Sequence, residues 1–96
     1  MMNSGVEADD NGRFMRKTIV REMQCTMDFI QCCIEQGIQS DEFTPRTDAA
    51  ALAQVIFCAI EGAIVISRVT GTPAPMVAVV SHCKSMLQQH SLKQSI

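Results

Sequence analysis

Ninety-six residues, 47% of them hydrophobic and 19% charged, suffice for one domain with a thin core, because a short chain buries a smaller share of its surface than a long one. A formal net charge of −2 lacks the basic excess expected of a chain whose main partner is nucleic acid. Trp and Tyr are absent, yet the supply of Ala, Val, Ile, Leu, Met and Cys exceeds what a small monomer hides, which leaves oligomerisation, lipid or a bound apolar ligand as outlets.

Residues 1–12, MMNSGVEADDNG, have little to bury and are expected to form a flexible lead-in. From Arg13 the apolar positions Ile19, Val20, Met23, Met27, Ile30 and Ile34 fall on one helical stripe, with Lys17, Arg21, Gln24, Asp28, Gln31 and Glu35 opposite. This predicts an amphipathic helix over 13–38, with Gly37 as a left-handed terminator. Its basic cluster, Arg13, Arg16, Lys17 and Arg21, is a solvated face interleaved with acids.

QSDEFTPRT, residues 39–47, is aperiodic and reads as a connection that Phe43 pins down. A second helix follows over 48–70, capped by Thr47 or Asp48 and stopped by Gly71. A third runs over 73–90 with Pro73 in its first turn, and aligns Met76, Val79, Val80, Cys83, Met86, Leu87 and His90. Residues 91–96 are expected to fray. No segment shows strand periodicity, so the fold class is all-α.

The second helix raises the functional question. Between Ala49 and Ile66 only Gln54 and Glu61 are strongly polar, and with Arg68 they form one narrow line at seven-residue spacing. A helix apolar nearly all round has to be covered on several sides, which two neighbours cannot do. The simplest cover is a second copy, with the last two helices of each subunit joined in a four-helix bundle about a twofold axis. The expected interface comprises Leu52, Val55, Ile56, Ala59, Ala63, Ile66, Met76, Val80, Cys83 and Leu87, with Ala59, Ala63 and Ser67 spaced for close helix approach.

The rival is a small membrane-anchored protein with residues 49–66 as its span, since that run extends about 27 Å at 1.5 Å per residue. Against it, Glu61 would lie inside the bilayer at roughly 2.5–3.5 kcal/mol. No Lys/Arg cluster adjoins the run, no Trp or Tyr forms an interface belt, and the capping signals are those of a soluble helix. A homodimer without membrane contact is therefore the expected partner state.

Five cysteines, at 25, 32, 33, 58 and 83, occur without a signal peptide or a CxxC pair, which fits a reducing cytoplasm with the thiols as small apolar fillers. His82 and Cys83 point about 100° apart on a helix and match no structural zinc spacing. No Gly-x-Ser-x-Gly, phosphate loop or paired carboxylates occur, so neither an enzyme nor a cofactor is expected. Glu61 is expected to pair with Arg68 or Gln54.

The run GIQSDEFTPRTDAAALAQVIFCAIEGAIVISRVTGTPAPM resembles the C-terminal region of TetR-family transcriptional regulators. The resemblance rests on Gly37-Ile38, Glu42-Phe43, Asp48, Glu61-Gly62-Ala63 and the Arg68-Val69-Thr70-Gly71 exit, and extends from about Met15 to Leu87. It implies the last three helices of an effector-binding and dimerisation domain, in which Met23, Met27, Ile30, Phe57 and Ile60 could line the wall of an apolar pocket. It also implies a preceding helix-turn-helix head of about fifty residues, which does not precede Arg13 here. As written the chain is expected to reach DNA only through that N-terminal domain, either as a fragment of a regulator or as a truncated frame that acts through mixed dimers.

Overall fold

A computed structural model describes residues 2–92, and the side chains from Asp10 to Leu92. Three helices follow in order: α1, Met2–Gln39; α2, Ala49–Thr70; and α3, Ala74–Gln89. All three are where the apolar periodicity places them, with differences at the two ends of α1. α1 begins at Met2, not Arg13, because no proline interrupts the lead-in and adding residues to an existing helix is far easier than nucleating one. An exposed Arg13–Asp10 ion pair of 2.8 Å spans the junction.

The end of α1 also departs from expectation. Asp41, not Gly37, adopts the left-handed conformation, with φ 61°. Around it the Asp41 amide donates to the Ile38 carbonyl at 3.2 Å and the Glu42 amide to the Gly37 carbonyl at 2.8 Å. That paired closure is the Schellman arrangement, and Asp is among the few side chains that tolerate its left-handed seat. Gly37 has a different task. It is buried beneath Phe43, and a Cβ there would stand 2.6 Å from the ring's Cε2 and closer still to Cδ2.

α2 opens on Asp48, whose side chain accepts from the Ala51 amide at 3.1 Å, and closes on Gly71 at φ 70°, whose amide donates to Ser67. Pro73 then occupies the cap position of α3.

α1 and α3 both pack on α2, and their backbones stay apart from each other. The result is one layer, with extents of 67 × 33 × 13 Å, the last scarcely more than a helix diameter. Its radius of gyration is 18.2 Å, against about 12.5 Å for a compact domain of this length. A single layer encloses little. Ile34, Ala49, Leu52, Ala53, Ile56 and Cys83 form the buried cluster, with Ile30, Phe43, Val79, Met86 and Leu87 packed on it.

Only the C-terminal part of the α1 stripe is used in this way. Ile34 is buried and Ile30 half-buried, whereas Ile19, Val20 and Met23 remain exposed along the stretch that reaches beyond α2 and α3.

Past α3 the chain turns back onto the α1–α2 connection. The Thr44 amide donates to the His90 carbonyl and the Leu92 amide to the Glu42 carbonyl, both at 2.9 Å, while Thr47 Oγ1 and His90 Nδ1 lie 3.3 Å apart. Ser91 and Leu92 are thus held by the connection, while the expected fraying of residues 93–96 lies outside the described residues.

Candidate interface and apolar cleft

α2 carries two apolar faces, and the chain covers one. Leu52, Ile56 and Ala63 are buried within it, as is Cys83 of α3. Ala59 and Leu87 pack against the same core and Met76 is half-buried. Of the ten expected interface positions, Val55, Ile66 and Val80 are exposed. The face centred on Ile56, expected to meet a partner, is covered by α1 and α3 of the same chain.

The face left open lies roughly opposite. Ala51, Val55, Cys58, Gly62, Val65 and Val69 recur at alternating intervals of four and three, and all six are exposed. Val55, Val65 and Val69 retain 51%, 59% and 81% of their accessible surface. Such spacing keeps residues on one side of a helix over several turns and is the seam of paired helices. A Cβ on Gly62 would meet nothing within 4 Å, so this glycine is a gap on the outer surface. Gln54, Glu61 and Arg68 each precede a seam residue by one position. Their seven-residue spacing was the sequence signal that could have located this seam.

Glu61 makes no hydrogen bond or ion pair with Arg68 or Gln54. Seven residues along one helix separate the groups by about 10.5 Å of rise, beyond the reach of a direct bond. Both charges are exposed and, among the described residues, have no partner.

At the other end of the layer α1, α2 and α3 enclose an open cleft of about 250 Å³, lined by Phe29, Ile30, Cys33, Ile34, Phe43, Ile56 and Leu87. Ile30 is the one member of the expected pocket wall that lines it. Met27, Phe57 and Ile60 are half-buried elsewhere and Met23 is exposed, because the wall curves toward the α1–α2 connection, where Phe43 and Leu87 close it. Phe29 and Phe43 were missed since a pocket between elements leaves no periodic trace.

Cys83 fills core as expected of a thiol, but Cys25, Cys32, Cys33 and Cys58 are exposed and free. Among the described residues no three His, Cys, Asp or Glu side chains are grouped closely enough to hold a metal ion.

Residues 1–83 match the family model of the tetracyclin repressor-like C-terminal domain. The chain belongs to the TetR family. A solved TetR-family transcriptional regulator from Cytophaga hutchinsonii matches with a TM-score of 0.82 and 29% identity, over 93% of this chain and 44% of that one. This TetR C-terminal domain therefore spans less than half the length of that regulator. No protein of curated function matches significantly. The TetR family is one of regulators that are typically not enzymes. By length and composition α2 also meets the requirements of a membrane span, with a mean hydropathy of 2.2 over its most apolar window. The mostly buried core helix of a soluble domain meets the same requirements, whereas only 17% of this window is buried within the single chain; regulators of the TetR family are soluble proteins.

Proposed function

We propose that this chain is the dimerisation and effector-side domain of a TetR-family transcriptional regulator, acting in the cytoplasm by holding two subunits at a fixed spacing. One observation carries the reading: α2 presents an uncovered apolar seam, at paired-helix spacing, on a domain too thin to shield it. Val77 and Val80, exposed on α3, extend the apolar surface and suit a four-helix bundle made with a second copy.

DNA recognition belongs to the N-terminal part that whole regulators of the family carry. The exposed Ile19, Val20 and Met23 of α1 are the surface on which the rest of such a regulator packs. The cleft at Ile30 and Phe43 supports an apolar effector, since its lining is aliphatic and aromatic apart from one thiol.

Sedimentation equilibrium without detergent tests the central claim. A particle of twice the 10.5 kDa chain mass is expected at micromolar concentration. A monomer overturns the reading, and a chain that dissolves in detergent alone favours the membrane-anchored alternative. For the effector, apolar ligands are expected to raise the melting temperature, and the shift should vanish in Ile30→Asp.

A further inference from the structure

Glu61 and Arg68 stand one position ahead of Gly62 and Val69, at the rim of the open seam on α2, and both charges are exposed without a partner among the described residues. In paired helices the rim position before the seam is where charges set partner and orientation. Resting on the self-association proposed above, we infer that two copies pair α2 against α2 in opposite directions, so that Glu61 of each subunit meets the partner's Arg68.

The two possible directions place different groups at this rim. If the helices ran parallel, the rim carrying Gln54, Glu61 and Arg68 would face the opposite rim of the other copy, which is Leu52, Ala59 and Ile66. The Glu61 carboxylate would then be held against Ile66, and Arg68 would fall beyond the partner's α2 with no acid to meet. When the helices run antiparallel, each rim faces its own reversed copy. The acid of one subunit lies beside the base of the other, and the twofold axis repeats the pair. The same register sets Gly62 opposite the partner's Val65 and Cys58 opposite the partner's Val69, so both of these contacts combine a small side chain with a branched one, while Ala51 and Val55 fall beyond the end of the partner's α2. Gly62, open to solvent in the single chain, lets the backbones approach at the centre.

The full 96-residue chain tests this by sedimentation equilibrium of E61R, R68E and the double variant. Each single change sets like charges together at two symmetric places and is expected to raise the dimer dissociation constant about tenfold; the double variant restores the pair in reverse and returns it to within about threefold of the wild type. High salt should narrow the gap between wild type and single variants. Independently, R68K treated with a zero-length carbodiimide is expected to give a covalent dimer in which Glu61 is joined to the introduced lysine. Single variants as tight as wild type, a double variant no better than the singles, or no such cross-link overturns the antiparallel pairing while self-association stands. A monomeric wild type overturns both.

Discussion

A methyl group on residue 37 would press into the ring of Phe43, which rests on the last turn of α1. Gly37→Ala is expected to lower stability by about 1–3 kcal/mol in urea unfolding, the usual range for overpacking, and a smaller side chain at Phe43 should recover part of that loss. Asp48→Ala removes the acceptor of the Ala51 amide and is expected to lower stability by about 1 kcal/mol, read as a drop in melting temperature with the helical spectrum retained. These two residues differ in how far the sequence discloses them. Asp48 acts within one turn, so its capping role is legible from its neighbours, and the same holds for Gly71. Gly37 answers to a ring six residues later on another segment. Its glycine signal was visible, but its physical cause was tertiary, and the left-handed seat fell to Asp41.

For the helices, period alone located all three, since an amphipathic stripe several turns long has few alternative readings. It did not decide which side of α2 the chain itself would cover. Both sides are apolar, and the choice depends on how α1 and α3 flank the helix. Substitutions on the two sides should therefore behave oppositely. Ala63→Leu forces a large side chain into a buried position and is expected to destabilise the fold by about 1–3 kcal/mol. Gly62→Ala meets nothing in the single chain and should strengthen α2 by about 1 kcal/mol, through helix propensity alone. Gly62→Leu, in contrast, is expected to weaken self-association by at least tenfold with helicity intact. Thermal melts at low concentration, beside sedimentation at high concentration, separate the two effects. A Gly62→Leu variant that dimerises as tightly as wild type would exclude the seam as the contact.

Taken as a whole, a layer 13 Å deep whose outer helices keep their backbones apart resembles half of a packed assembly. Surplus apolar surface was legible from composition, whereas the layered shape was not, because it depends on how the helices are arranged around α2. If a second copy supplies the missing cover, folding and association are coupled. The melting temperature is then expected to rise with protein concentration, because dimerisation stabilises by mass action. A concentration-independent melt would mean that the layer is stable alone. The clasp between Glu42–Thr44 and His90–Leu92 adds a further consequence. It joins segments nearly fifty positions apart in the chain, so its closure has to wait until the local helical hairpins are in place. Assembly should finish there and dismantling begin there. Clipping the chain after Gln89 would leave three helices able to form but release Phe43 from its seat, turning the last step of maturation into the first point of protease attack.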